Sequence, residues 1–162
     1  MLEKIGIKID RIMEIIIAAL FILMVIVGGL QVFNRFLLNQ SLSWSEELQK
    51  FCHIWIIFLT IPLAYNRGAH IGMQVLLNKL SPRIQKYFTV FFDLLWLILA
   101  LAISYYSLVI MGVAKFQSSA GLGIRMDWVY SGLVVGGLYL FLVSIRKLVG
   151  HLGLIDPSKR GC

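Results

Sequence analysis

Charged side chains are scarce in this sequence: 14% of its 162 residues are charged and 59% are hydrophobic, with a mean hydropathy of +0.86. An ordinary soluble domain is roughly 45–50% apolar, so that class is excluded. Acidic residues are the scarcer sign, 8 against 15 lysines and arginines, which leaves a net charge of +7. No basic patch carries interleaved loop aromatics, so the positive excess points to anionic membrane lipids and not to nucleic acid. The two cysteines, Cys52 and Cys162, lie far apart and belong to no metal-spaced cluster, which excludes a disulfide framework. Cys52 falls in an apolar run and is expected to behave as a small apolar residue. Of the three histidines, only His53 falls well inside such a run; His70 and His151 lie beyond the run ends. A transmembrane haem needs paired histidines on facing helices, so a redox-enzyme anchor is disfavoured. No Walker-type phosphate loop is present, nor any nucleophile–base constellation. No catalytic residue, metal or cofactor is expected, and the chain does not read as an enzyme.

What is present is a set of long apolar runs separated by short charged clumps. A transmembrane helix needs about 20 predominantly apolar residues, and runs of that order cover about 15–37, 48–66, 88–113 and 128–146. They predict an all-α integral membrane protein of four transmembrane helices, one domain over 1–150, with a polar, basic tail over 151–162. The first run is too long for a signal peptide, and Gln31, Asn34 and Arg35 follow it in place of a small-residue cleavage site. It therefore reads as a retained span, and the short 38–42 connection makes it an antiparallel neighbour of the second. Two flanking segments are amphipathic. Over 2–12, Leu2, Ile5, Ile9 and Ile12 share a helical face opposite Lys4, Lys8 and Arg11. Over 70–80, Met73, Leu76, Leu77 and Leu80 form an apolar stripe that continues to Ile84, with Lys79, Arg83 and Lys86 facing away. Both predict interfacial helices. Ser81-Pro82 reads as an N-cap followed by proline at the first helical position. Ser43 with Glu46 reads as a capping box opening the second span, and Pro62 predicts a kink near its far end.

Four spans put both termini on one side. That side carries Lys4, Lys8, Arg11, Arg67, Lys79, Arg83, Lys86, Arg146, Lys147, Lys159 and Arg160; the other carries only Arg35, Lys50, Lys115 and Arg125. The positive-inside rule places the richer side, and both termini, in the cytoplasm. Trp44 and Trp128 then fall at the outer interface, where indoles prefer to sit.

The densest ionisable cluster, Glu46, Glu47, Lys50 and His53, opens the second span. Gln31, Asn34 and Arg35, spaced i, i+3, i+4, share a face at the outer end of the first. Arg35 is expected to pair with one of the glutamates, with Lys50 competing one turn after Glu46. The cluster reads either as separately solvated groups or as a docking site for a second membrane subunit. His53 is expected to make a hydrogen-bonded helix contact. Asp93, the carboxylate inside the third span, is expected to form a structural pair with Arg146 or Lys147. Gly132 and Gly136 form a GxxxG that allows close helix approach, within the chain or between chains. The first and fourth spans lack acidic residues in their middles, and no long span is visibly broken by paired glycines and prolines. A self-sufficient transporter usually shows such features, so the residues describe a four-span membrane subunit. The competing reading is a self-contained four-span transporter acting as a homodimer, for which Asp93 would be the essential carboxylate.

NRF at 34–36, WSEE at 44–47, AYNRGAHIGM at 64–73 and GLGIRMDWVYSGL at 121–133 occur in an order and spacing that resembles the small, DctQ-like membrane subunit of tripartite ATP-independent periplasmic (TRAP) transporters. The resemblance covers roughly residues 5–150. It implies a location in the bacterial inner membrane and a role as accessory scaffold. The partners it implies are a large membrane subunit of about a dozen spans, expected on a separate chain, and a periplasmic substrate-binding protein. It also implies ion-coupled, sodium-type import of an organic acid such as sialic acid or a C4-dicarboxylate. The large subunit would move its substrate domain like an elevator while the small one braces the stationary part. Arg35, Trp44, Glu46, Glu47, Lys50, His53, Asp93, Gly132 and Gly136 are then candidate interface or structural residues, and Lys115 and Arg125 candidate contacts for the binding protein.

Overall fold

A computed structural model of the chain describes residues 2–40, 42–68 and 81–151. Four helices account for nearly all of them: α1, Leu2–Leu37; α2, Ser43–Asn66; α3, Pro82–Ala114; and α4, Met126–His151. Each is long and apolar enough to cross a membrane. The expected segment over 70–80 lies outside the described residues, as do 152–162 of the expected tail.

The amphipathic start is helical, but it is not a separate element. Residues 2–37 form one uninterrupted helix of 36 residues, about 54 Å long at 1.5 Å per residue. That exceeds the roughly 30 Å of a hydrocarbon core, so α1 extends beyond it or tilts. The α1 helix ends at a turn in which the Leu38 and Gln40 amides both donate to the Asn34 carbonyl. Asn39 takes the left-handed conformation there, which asparagine tolerates better than most residues.

The capping box expected at Ser43 and Glu46 is not formed. The N-cap of α2 is Leu42, in extended conformation and without a side-chain cap bond. The serine that acts here is Ser45, fully buried, whose hydroxyl donates to the Leu42 carbonyl at 2.7 Å. The α2 helix continues through Pro62 to Asn66 and closes on Gly68, whose φ of 67° is the left-handed geometry of a glycine stop. At α3 the expected boundary is found: Ser81 is the N-cap residue, in extended conformation but without a side-chain cap bond, Pro82 opens the helix, and the Gln85 amide donates to the Ser81 carbonyl at 2.9 Å.

The helices run up, down, up, down. Glu14 and Asp10 of α1 meet Arg67 and Asn66 at the end of α2, while Gln31 meets Gln49 near its start, so α1 and α2 are antiparallel. The α4 helix runs parallel to α2 and lies close against it. A Cβ on Gly132 would come within 2.8 Å of the Trp55 ring, and one on Gly136 within 2.5 Å of the Phe58 carbonyl oxygen. On the other side of α4, a Cβ on Gly137 would meet Ser104 of α3 at 2.8 Å. The small-residue motif therefore serves contacts inside the chain. Proline at 62 cannot donate to the carbonyl of Phe58, four residues back. Gly136 brings the α4 backbone directly against that unclaimed carbonyl, where a side chain would not fit.

The core lies in the half of the bundle nearer the chain termini. Leu63, Tyr65, Ala100, Tyr139, Leu140 and Val143 form its buried cluster, and Ile9, Met13, Ile17 and Trp96 pack against it. Most of α1 and α3 outside this cluster presents exposed apolar side chains, among them Phe21, Ile26, Phe33, Phe91, Ile98 and Leu108. In water such a surface is untenable; against lipid tails it costs nothing.

Candidate functional site

Two polar clusters tie the helices together, one at each end of the bundle. At the end formed by the α1–α2 and α3–α4 connections, the adjacent glutamates point to different partners. Glu46 accepts from the Gln31 side-chain amide at 3.3 Å, and Gln31 in turn accepts from Gln49 at 2.5 Å. This amide–carboxylate chain stitches α1 to α2. Glu47 turns the other way, to the α3–α4 connection. One of its oxygens accepts from the Ser119 hydroxyl and from the backbone amides of Gly121 (2.9 Å) and Leu122 (3.1 Å).

The connection has the shape to receive it. The Ser119 amide donates to the Ile124 carbonyl at 2.8 Å, the Gly123 amide to Ser119 at 3.0 Å, and the Met126 amide to Gln117 at 3.0 Å. Gly123 takes φ +65° at the tip. Gly121 has to be glycine for a different reason: a Cβ there would crowd the Glu47 carboxylate at 3.0 Å and the Trp44 backbone at 3.2 Å. What the sequence offers as a run of small residues is a closed turn clasped on one carboxylate.

Other expected members of this cluster stand apart. Arg35 is exposed and pairs with neither glutamate; the amide of Gln31, one turn earlier, takes the place expected for it. Lys50 and His53 are also exposed on α2, and among the described residues His53 makes no interhelical hydrogen bond. Arg125 pairs with Asp127, with its Nη2 donating at 2.6 Å and Nε at 3.2 Å. Lys115 lies exposed beside the Phe116 ring, 4.8 Å from its centroid.

At the opposite end, Asp10 of α1 accepts from Asn66 at 2.5 Å and from the Tyr139 hydroxyl at 2.6 Å, with Arg146 at 3.6 Å. Arg146 also donates to the Asn66 side-chain oxygen at 2.9 Å. Glu14 and Arg67 form a second ion pair one turn along. Asp93 of α3, only 3% exposed, accepts from the Tyr65 hydroxyl at 2.6 Å. Lys147 of α4 donates to the Tyr65 carbonyl and lies 4.2 Å from the centre of its ring, while Trp96 stacks on that ring at 4.8 Å. Of the two cations expected beside Asp93, Arg146 belongs instead to Asp10, and Lys147 meets the Asp93 group at Tyr65. All four helices are joined at this end.

The residues that sequence reasoning missed are Asp10, Glu14, Tyr65, Asn66 and Tyr139. A signal existed for the acids: Asp10, Met13, Glu14 and Ile17 lie at helical spacing along one face of an otherwise basic segment. Among the described residues, no group of three His, Cys, Asp or Glu could hold a metal. The arrangement can do one thing well chemically: lock four helices to one another at both ends.

Comparison with known proteins agrees with this architecture. The family model described as tripartite ATP-independent periplasmic transporters, DctQ component, matches residues 24–153. A Haemophilus influenzae chain named as a TRAP transporter small permease protein is 26% identical over 155 residues, 96% of each chain. The sialic acid TRAP transporter small permease protein SiaQ of Vibrio cholerae is 27% identical over 160 residues, 96% of this chain and 88% of the relative. A third relative is much longer: the sialic acid TRAP transporter permease protein SiaT of H. influenzae is 26% identical over 116 residues, 72% of this chain but only 19% of that protein. Four membrane-length helices clamped at both ends, and a family match across most of their length, lead to one conclusion: the chain belongs to the DctQ component family of TRAP transporters, as a multi-pass transporter subunit of the bacterial inner membrane and not an enzyme.

Proposed function

We propose that this chain is the small accessory subunit that braces the large permease subunit of an ion-coupled, sodium-type TRAP transporter importing an organic acid. A periplasmic binding protein delivers that acid, with sialic acid and C4-dicarboxylates as the classes suggested by the relatives. The observation that carries this reading is the cross-tying of all four helices by the Asp10 and Asp93 groups, a build suited to a body that holds still while a neighbour slides. Asp93 also fits this role better than that of a transported-ion ligand, since it is buried against Tyr65 between helices. Both termini lie on the cytoplasmic side in this proposal, so the Glu47-clasped turn, Lys115 and Trp128 face the periplasm, where the binding protein arrives.

The test is co-purification in mild detergent of a tagged chain expressed with its large permease subunit, paired with uptake assays. A stable heteromeric complex, and uptake lost when this chain is left out, are the expected results. A homodimer that transports without a partner would overturn the proposal. Charge reversal at Lys115 and Arg125 is expected to lower uptake at limiting binding protein and to spare it at saturation.

A further inference from the structure

The outward face of α2 differs from those of the other three helices. Glu46, Lys50, His53, Ile57 and Thr60 are all exposed and recur at helical spacing, so they form one continuous stripe. From Glu46 to Thr60 the stripe extends about 21 Å along the helix, with His53 about 10 Å from its start. The exposed face of α4 is apolar throughout: Trp128, Val135, Leu138, Leu142 and Ile145. The exposed middles of α1 and α3 are apolar too, apart from the Tyr105–Tyr106 pair, whose rings stack edge to face at 5.4 Å. Among the described residues, His53 is the basic side chain exposed in the middle of a span.

Lipid explains part of this stripe and not the rest. Glu46 lies within the first turn of the helix and Lys50 can extend its ammonium to the headgroups. His53 and Thr60 have no such route, and an imidazole facing hydrocarbon is costly, so residues of this kind face protein. We propose that the α2 stripe is the surface that seats the large permease subunit. This rests on the accessory-subunit reading above and adds the face and its chemistry. In the longer SiaT protein, the segment that matches this chain makes up 19% of a single permease polypeptide. A segment of this type is there continuous with a far longer permease chain, which favours a heterologous occupant over a second copy. The seated helix presents a cation toward Glu46, then hydrogen-bond acceptors toward Lys50 and His53, and small residues at Thr60 where the backbones come close.

A photoreactive benzophenone amino acid replacing His53, Ile57 or Thr60 in turn, in the co-expressed complex, tests this directly. Replacements of Ile98 and Leu142, exposed on α3 and α4, serve as controls. The expected result is a covalent adduct with the large subunit from the three α2 positions and from neither control. Adducts from the controls alone, with the complex still co-purifying, would overturn the assigned face and leave the accessory reading standing. Adducts joining two copies of this chain through α2 would overturn the heterologous occupant. Failure of the unmodified chain to co-purify at all would remove the underlying reading. Because every substituted position is exposed, the bundle itself should fold in each case. The double variant His53→Leu, Thr60→Val should also weaken recovery of the large subunit by about tenfold, and unchanged recovery would count against the polar character of the seat.

Discussion

Glu46 and Glu47 are adjacent in the chain and identical in chemistry, yet one joins α1 to α2 and the other holds the α3–α4 turn. Glu47→Ala leaves the Ser119 hydroxyl and the Gly121 amide without the carboxylate that accepts from them, while the Leu122 amide keeps the Ser119 hydroxyl oxygen at 3.2 Å. Hydrogen exchange at Gly121 should then rise by about tenfold or more, while Glu46→Ala leaves that amide unchanged. Equal protection in both variants would show that the turn holds itself. At the other end, Tyr65→Phe removes one donor from the nearly buried Asp93. A lost hydrogen bond to a buried charged group costs about 1–3 kcal/mol, so thermal unfolding in detergent should occur at a visibly lower temperature. A change near zero would mean that the remaining surroundings of Asp93 suffice. The sequence marked both glutamates and Asp93 as notable, because carboxylates near or inside a span are rare. It did not name their partners, since Ser119 lies 72 residues from Glu47 and Tyr139 lies 129 from Asp10, and no local pattern reports such pairings.

At the scale of the helix, Pro62 and Gly136 form a matched pair. The proline removes an amide donor inside α2, and the glycine admits the α4 backbone against the Phe58 carbonyl left behind. Overpacking a close interface costs about 1–3 kcal/mol, so Gly136→Ala should destabilise the bundle by that order, and Gly136→Leu should prevent its assembly. Gly29→Leu, at a position where a side chain meets open space, is the control and should leave the bundle intact. If both leucine variants behave alike on size exclusion and thermal unfolding, the close α2–α4 approach is not what sets the packing. The Ser81-Pro82 start was legible because the fixed φ and missing amide of proline suit the first helical position, a local property. The capping box at Ser43 was not formed because the neighbouring turn buries Ser45 and bonds its hydroxyl back to Leu42. One residue of register separates the expected N-cap, Ser43, from the observed one, Leu42, and sequence spacing alone does not decide it.

For the molecule as a whole, the proposed sidedness rests on the distribution of lysine and arginine. Reporter fusions check it: a fluorescent protein joined after Gly150 should fluoresce, and a phosphatase requiring export should be inactive there and active when inserted at the 38–42 connection. The reverse pattern would invert every assignment of inner and outer face made above. The apolar exterior also predicts that the chain needs lipid or detergent at every step, since most of α1, α3 and the outer side of α4 presents hydrocarbon.

By itself the sequence determined the class, the number of spans and the family, because each of these depends on run length, charge and the order of local motifs. These properties are set by transfer of side chains between water and lipid, which acts residue by residue. Only the tertiary structure decided that α4 lies between α2 and α3, that Arg146 serves Asp10 while Lys147 serves Tyr65, and that the GxxxG is spent inside the chain. It also decided which face of α2 is left polar and uncovered. The spans all face the same hydrocarbon, so hydrophobicity cannot tell one helix neighbour from another; steric fit at glycines and hydrogen bonds between distant polar groups do that, and both exist only once the helices have packed.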